Sequence, residues 1–213
     1  MARDIILASA SPRRKELLTS LGLRFSVADS GVDETDDAAE NPAKFAADLA
    51  IQKAEAVASR MPRSLILGAD TVVVVDHRIL GKPTDDADAR RMLQRLRSRW
   101  HRVVTGVAVL DALTGKRAVS VVETRVKMAS YSDRDIEEYV MSGEPLDKAG
   151  SYAIQGLGGR LVDAIEGCYT NVVGLPVCEV ARLFEQFGIT APAATPVCRD
   201  ASGAQCPRLQ TSR

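Results

Sequence analysis

The chain has 213 residues, which suffices for one compact domain, or for a two-lobed one, with a sizeable hydrophobic core. Lysine plus arginine and aspartate plus glutamate number 28 each, and the aromatic residues are four Phe, four Tyr and one Trp, so both the net positive charge and the aromatic platform of a nucleic-acid-binding protein are missing. No apolar run approaches the roughly 20 residues of a membrane-spanning helix, and the first residues contain no signal-peptide cleavage region, so we expect a cytoplasmic protein that does not insert into membranes.

The N-terminal segment predicts a strand, a loop and a helix. Residues 5–9 form an apolar run that ends in Ser9 and is typical of a buried strand. Ser11 is suited to cap a helix over about residues 12–21, and Pro12 suits the first position of that helix. The end of the strand and the start of the helix therefore lie side by side.

The first turn of this helix carries an unusual charge. Arg13, Arg14 and Lys15 lie where free N–H groups already create a positive end, and each added cation costs roughly 0.3–1 kcal/mol there. A bound anion explains the placement, because the N–H groups and the arginines together attract a phosphate chain. The alternative is that the three cations extend into water and weaken the helix slightly.

An acidic loop and a second helix follow. Asp33 and Glu34 lie in the loop, either as solvated charges or as ligands of a cation. Asn41 is suited to cap the helix, and apolar residues at helical spacing within residues 45–57 form its buried face. Lys53 falls on that face, so we expect its ammonium group to point into the interior or into a cleft.

An acidic residue also interrupts a long apolar stretch. Residues 65–76 predict two strands, which are separated at Gly68, Ala69 and Asp70. Because an unpaired ionised carboxylate is too costly in an apolar interior, Asp70 must be hydrogen-bonded or bound to a cation. The tight turn GKP comes next and carries Lys82.

The rest of the chain predicts further strands and helices in alternation. In order, we expect a helix from Thr84, a long hairpin of residues 101–112 and 116–129, a helix with a capping box at Ser132 and Asp135, a glycine-rich loop over residues 151–159 and a helix over about residues 176–187. This mixture predicts an α/β fold with a mixed sheet.

The cysteines and the C-terminal segment predict no further site. Cys168, Cys178, Cys198 and Cys206 include no C-x-x-C pair, and only two histidines are available, so we expect reduced thiols and no zinc site. Residues 191–213 are rich in Ala, Pro, Ser and Gly without an apolar period, so we expect a disordered tail after a domain formed by residues 1–190.

The charged residues are more informative together than one by one. Cations for phosphates together with two carboxylates for a divalent metal are the arrangement of sites that transfer or hydrolyse phosphoryl groups. No Walker pattern occurs, so the chain is not a P-loop enzyme, and the GLGG string follows Gln155 rather than a strand that opens into a helix, which argues against a dinucleotide fingerprint.

Six strings, in chain order, carry a resemblance to a known family: LASASPRRKELL, VDE, GADTVVV, GKP, GEPLDKAGSYAIQG and VVGLP. Together they resemble the Maf family of nucleoside triphosphate pyrophosphatases over about residues 5–187. The resemblance implies a two-lobed α/β fold, inosine-triphosphatase-like, with a mixed sheet, flanking helices and an active-site cleft between the lobes. It also implies hydrolysis of a nucleotide to its monophosphate and pyrophosphate, and a homodimer.

The same resemblance implies roles for individual residues. The positions matching phosphate contacts are Ser9, Arg13, Arg14, Lys53 and Lys82. Glu34 and Asp70 match the acidic positions that hold Mg²⁺ or Mn²⁺, and Asp70 matches the proton acceptor. One carboxylate cannot serve fully as both metal ligand and free base, so Glu34 stays open as the alternative base.

The resemblance also implies a base preference, through three positions. Arg13, Thr71 and Gln155 resemble the branch of the family that acts on dTTP and UTP, whereas the branch acting on 7-methyl-GTP carries tryptophan at the position of Arg13. An amide at Gln155 offers a donor and an acceptor, which can pair with O4 and N3–H of uracil or thymine. The alternative to an enzyme is a non-hydrolysing nucleotide-binding regulator of cell division, which would need the cations but not the acid pair.

Overall fold

One mixed β-sheet organises the fold. In the computed structural model, which describes residues 3–33 and 41–192, the sheet has seven strands. They are β1 (Ile5–Leu7), β2 (Phe25–Val27), β3 (Leu65–Val75), β4 (Arg78–Leu80), β5 (Trp100–Asp111), β6 (Arg117–Met128) and β7 (Val162–Glu166). The order is β2-β1-β3-β5-β6-β7, with β4 paired to β3. Strand β1 is parallel to both neighbours and the other pairs are antiparallel, so the predicted mixed α/β class is confirmed.

Helices flank this sheet. They are α1 (Pro12–Thr19), α2 (Pro42–Ala58), α3 (Asp86–Leu96), α4 (Asp133–Met141), α5 (Tyr169–Val173) and α6 (Val177–Glu185), with short 3-10 helices at Glu144–Asp147, Ala149–Ser151 and Gly156–Leu161. Ser11 and Asn41 accept hydrogen bonds from backbone N–H groups of α1 and α2, as their cap positions predict. Ser132 and Asp135 form the reciprocal capping box of α4. These local signals are therefore confirmed.

Strand β3 differs from its prediction. Two strands interrupted at Gly68, Ala69 and Asp70 are wrong, because Leu65–Val75 is one continuous strand. The ladder with β5 runs through this stretch without a bulge, and Asp70 lies opposite Gly106. The carboxylate therefore lies in the middle of a buried strand.

Several short elements were not predicted from the sequence. Strands β2 and β7 and helix α5 are three to five residues long, and the two strands exist through pairing with distant segments, which a local pattern does not reveal. Helix α3 begins at Asp86 rather than at Thr84, because Asp85 provides its cap.

Two glycines bring α2 unusually close to the sheet. A Cβ atom added to Gly68 would lie 2.1 Å from the carbonyl oxygen of Ala50, and one added to Gly106 would lie 2.2 Å from that of Ala46. Both contacts involve helix backbone, so only glycine permits this separation. The side chain of Lys53, one turn after Ala50, consequently meets the sheet at Asp70, two residues after Gly68.

The other face of the sheet is covered by two separate hydrophobic clusters. The first joins β1, α1 and α6 to the early part of β3, with Leu18 and Phe184 fully enclosed. The second joins α3 and α4 to the late part of β3, around Leu93 and Tyr139. The long strands run through both, so the two clusters correspond to two lobes with a depression between them.

The cysteine prediction is only partly correct. Cys168 is a free, buried thiol. Cys178, at the start of α6, is disulfide-bonded, so the expected reduced thiol is wrong at this position, and Cys198 and Cys206 lie outside the described residues. The predicted tail, residues 191–213, likewise lies outside the described residues beyond its first two. No helix in the described part of the chain has the length and apolarity needed to cross a membrane.

The close helix–sheet contact leads to a stability prediction. Gly106→Ala should lower the free energy of unfolding by about 3 kcal/mol, because the added methyl meets helix backbone that cannot rotate away. Gly115→Ala is the control: its φ is +73° but no atom lies within 4 Å, so only about 1–2 kcal/mol of backbone strain is expected. Urea unfolding monitored by circular dichroism measures both. Equal losses in the two variants would contradict a packing constraint at Gly106.

Candidate active site

A gap beside strand β3 contains a cavity. Strand β1 pairs with β3 only as far as Leu67, and β4 pairs with β3 only from Val73 onward. Between these points the edge of β3 carries no strand among the described residues, so side chains from both faces of β3 reach the same space. A cavity of about 580 Å³ lies there, and Asp70 and Thr71 both line it.

Every predicted site residue that the structure describes lines this cavity. They are Ser9, Arg13, Arg14, Lys53, Asp70, Thr71, Lys82 and Gln155. Glu34 lies outside the described residues, so its predicted role as metal ligand or base stays a prediction. The eight residues come from five separate segments of the chain, and the fold brings them together.

The N-terminus of α1 forms one wall. Ser9 Oγ accepts a hydrogen bond from the N–H of Ser11 at 3.2 Å, which fixes the loop that enters the helix. Arg14 is held at three points: it donates to Gly174 O at 3.0 Å, to Thr71 Oγ1 at 3.2 Å and to Ser9 Oγ at 3.4 Å. The guanidinium group is therefore oriented before any ligand arrives, rather than extended freely into water.

The charge of Arg13 acts on another carboxylate that lines the cavity. Burial raises the pKa of Asp147, but the hydrogen bond and charge of Lys148 and the charge of Arg13 outweigh burial and bring that pKa below its usual range. Asp147 belongs to the 3-10 helix Glu144–Asp147, and both it and Arg13 line the cavity. The three cations in the first turn thus do not all splay outward.

The most enclosed part of the cavity is an ion pair. Lys53 Nζ donates to Asp70 Oδ1 at 2.6 Å, and the two residues are 2% and 5% exposed. The predicted inward direction of Lys53 is confirmed, and Asp70 has the cationic partner that its burial demands. Lys53 therefore has a structural role in addition to the phosphate contact predicted for it.

Lys82 and Gln155 lie at the rim. Both are exposed, and both line the cavity. Gln155 precedes the 3-10 helix Gly156–Leu161, and its side chain makes no capping hydrogen bond to that helix. Its amide therefore remains available to face a ligand.

Some lining residues were missed in the sequence. Asp29, Asp147, Lys148 and Tyr152 also line the cavity. The last three belong to the string GEPLDKAGSYAIQG, which carries part of the family resemblance. That string could have pointed to them, but only Gln155 was predicted from it. Asp29 carried no distinguishing signal within its acidic loop.

Tyr152 is supported by a buried histidine. Tyr152 Oη and His101 Nε2 lie 2.7 Å apart, and the rings meet edge to face. Burial lowers the pKa of His101 to about 4, and its Nδ1 finds no hydrogen-bond partner among the described residues. Burial also raises the pKa of Tyr152, so near neutral pH both groups are uncharged.

The described residues offer limited ligation for a metal ion. Residues 3–33 and 41–192 contain no group of three or more His, Cys, Asp or Glu side chains placed to hold one. Mg²⁺, however, is commonly held by one or two carboxylates together with substrate phosphates and waters. A cavity with Asp70 at its base and space for a polyphosphate fits that mode of binding.

A cleft with a basic helix N-terminus near a buried carboxylate is typical of proteins that bind phosphorylated ligands. The family model described as Maf-like protein matches residues 4–187. The dTTP/UTP pyrophosphatase of Gloeobacter violaceus is 50% identical over 187 residues, covering 88% of this chain and 97% of that protein. The dTTP/UTP pyrophosphatase of Pelotomaculum thermopropionicum is 47% identical over 186 residues, covering 87% and 97%.

The family match and these relatives assign the chain to the Maf family. The solved structure of the Staphylococcus aureus Ham1 protein is also similar, with a TM-score of 0.42 and 15% identity over 60% of this chain and 73% of that chain.

The buried ion pair leads to a second prediction. Lys53→Met should lower the free energy of unfolding by about 3–5 kcal/mol, because it leaves the Asp70 carboxylate enclosed without its partner. Adding Asp70→Asn should recover part of that loss, since a neutral amide is less costly to bury. Lys44→Met is the control on the same helix, because the ion pair of Lys44 with Asp48 is exposed and worth less than about 1 kcal/mol. Equal effects of the two lysine variants would contradict this interpretation.

His101 leads to a prediction about pH. Its pKa is about 4 when folded and about 6.5 when unfolded, so between these values the unfolded chain binds more protons. Stability should therefore fall as pH falls through this window, by about 2–3 kcal/mol from this residue at about pH 4.5. His101→Gln should reduce the slope in urea unfolding, whereas His77→Asn, at an exposed turn, should not. Parallel slopes for wild type and His101→Gln would contradict the buried neutral state.

Proposed function

We propose that this chain is a nucleoside triphosphate pyrophosphatase that hydrolyses dTTP and UTP to the monophosphate and pyrophosphate. The observation that carries the proposal is the shared cavity, in which the buried Lys53–Asp70 pair lies with the basic N-terminus of α1. Relatives that are 47–50% identical over most of the chain and are named dTTP/UTP pyrophosphatase support the substrate class.

The basic residues bind the triphosphate. The positive end of α1, with Arg13, Arg14 and Lys82, offers positive charge to the phosphate oxygens. Arg14 is already fixed to Ser9, Thr71 and Gly174, so little side-chain freedom is lost on binding. Donors held in place beforehand stabilise the charge that develops on the departing pyrophosphate.

Asp70 accepts a proton from the attacking water. The Lys53 ammonium, 2.6 Å from Oδ1, holds the orientation of this carboxylate. Water oxygen bonds to the α-phosphorus, the bond between that phosphorus and the bridging oxygen breaks, and pyrophosphate leaves with the bonding electrons. Glu34 is the alternative base.

A divalent cation belongs to this proposal. Asp70 and Glu34 would hold Mg²⁺ or Mn²⁺, which when bound neutralises phosphate charge and polarises the phosphoryl group. Asp70 Oδ1 is engaged by Lys53. Its second oxygen can face either the cation or the attacking water, so if Asp70 holds the cation, Glu34 is the proposed proton acceptor.

Base selection rests on the rim of the cavity. Gln155 offers a donor and an acceptor to O4 and N3–H of the pyrimidine, and Thr71 and Arg13 complete the predicted set. We further propose a cytoplasmic homodimer that binds neither membrane nor nucleic acid, as expected from the resemblance and the balanced charge.

The activity itself is directly testable. With Mg²⁺, the chain should release pyrophosphate from dTTP and UTP faster than from 7-methyl-GTP, and chelation with EDTA should abolish release until Mg²⁺ or Mn²⁺ is restored. Asp70→Asn should lower kcat by about 10²–10⁴-fold, because the proton acceptor is lost. Asp48→Asn, on the exposed face of α2, is the matched control and should retain wild-type kcat.

Other outcomes of these assays would show which part of the proposed function is wrong. Tight binding of dTTP without turnover would favour the non-hydrolysing regulator. Preference for 7-methyl-GTP would show that Arg13 and Gln155 do not select a pyrimidine. Full activity in Asp70→Asn would move the proton acceptor to another residue, with Glu34 next to be replaced.

A further inference from the structure

The Gln155 amide lies on a loop that other residues must hold. Gln155 is exposed, has extended backbone angles and comes directly before the 3-10 helix Gly156–Leu161. Its side chain makes no capping hydrogen bond that would fix the loop from within. An amide that distinguishes a donor from an acceptor must nevertheless be placed to within a fraction of an ångström.

Glu144 holds the segment after Gln155. Its Oε2 accepts from the N–H of Leu157 at 3.2 Å, and its Oε1 accepts from the N–H of Gly158 at 3.1 Å. These are N–H groups at the start of the 3-10 helix, which lack partners within it. A carboxylate from a segment more than ten residues earlier therefore caps the loop.

Tyr139 holds the segment before Gln155. Tyr139 is fully buried, its Oη accepts from the N–H of Ala153 at 3.1 Å, and it lies 3.0 Å from Glu144 Oε1, to which it donates. Burial raises the pKa of Tyr139, so the hydroxyl stays protonated and remains a donor. Tyr139 and Glu144 thus form one hydrogen-bonded pair that accepts hydrogen bonds from the backbone on both sides of Gln155.

The glycines that follow Gln155 allow the backbone to approach Glu144 and Tyr139 this closely. A Cβ atom at Gly156 would lie 2.9 Å from Glu144 Oε2, and its φ of +79° also disfavours other residues. A Cβ atom at Gly158 would lie 2.5 Å from Tyr139 Oη. The loop backbone therefore lies directly against the pair.

We propose that Glu144 and Tyr139 are positioning residues for base selection, acting through Gln155. Neither side chain is among the described residues that line the cavity. Discrimination between pyrimidine bases therefore depends on two residues that do not touch the nucleotide. The inference rests on the proposed function and deepens it by assigning the support for the Gln155 amide.

UTP and CTP provide the measurement. Uracil presents O4 and N3–H, whereas cytosine presents an amino group and an unprotonated N3, so the orientation of one amide separates them. In Glu144→Gln and in Tyr139→Phe, the ratio of kcat/KM for UTP to that for CTP should fall about tenfold, the size expected when one positioned hydrogen bond is lost. The loss should appear mainly as a higher KM for UTP.

A double-substitution experiment separates positioning from general structural damage. Gln155→Ala should lower the same ratio, and adding Glu144→Gln to Gln155→Ala should not lower it further. Glu138→Gln is the matched control, because Glu138 neighbours Tyr139 on α4 but pairs with Arg134 on the surface. This control should keep the wild-type ratio.

Three results would overturn the inference. The first is an unchanged ratio in Glu144→Gln or, where that variant does not fold, in Tyr139→Phe. The second is a further drop when Glu144→Gln is added to Gln155→Ala, because Glu144 would then act independently of Gln155. The third is absence of pyrophosphate release from UTP by the wild-type chain, which overturns the proposed function itself and so removes the basis of the inference.

Discussion

The contact between the Lys53 ammonium and the Asp70 carboxylate is the interaction on which the rest of the structure depends. Two opposite charges 2.6 Å apart lie almost wholly out of water, and removing them from water costs several kcal/mol per ion, which their attraction offsets only when the geometry is close. Helix α2 achieves that geometry because Gly68 and Gly106 let it approach the sheet to the limit set by its own backbone. A helix set further from the sheet would separate the two charges. The packing of α2 on the sheet and the ion pair in the site therefore depend on each other.

Other side chains and loops around the cavity are also held in place by contacts with distant segments. Arg14 is fixed by three hydrogen bonds, whereas Arg13 influences Asp147 through its charge, and both arginines lie in the first turn of a helix that they destabilise locally. Such a cost is typical of functional sites, where local rules are broken and the surrounding structure compensates. The loop carrying Gln155 follows the same logic, since Tyr139 and Glu144 supply the partners that its backbone lacks.

Particular residues show how far the sequence could be used. Ser11, Asn41 and the Ser132–Asp135 box marked helix starts correctly, because capping depends on neighbours within three residues. The inward direction of Lys53 followed from helical spacing. The continuity of β3 did not follow, because a strand that receives its hydrogen bonds from β5 tolerates a glycine and a carboxylate that look like a break in isolation.

The sequence by itself determined the mixed α/β class, the main helix starts and the demand that Asp70 find a partner. These properties arise from local spacing and from the cost of burying a charge. Only the tertiary structure decided that the partner is Lys53, that the cavity opens where β1 has ended and β4 has not begun, and that Glu144 caps the loop of Gln155. Each of these depends on contacts between segments far apart in the chain, and no periodic pattern encodes the distance at which such segments meet.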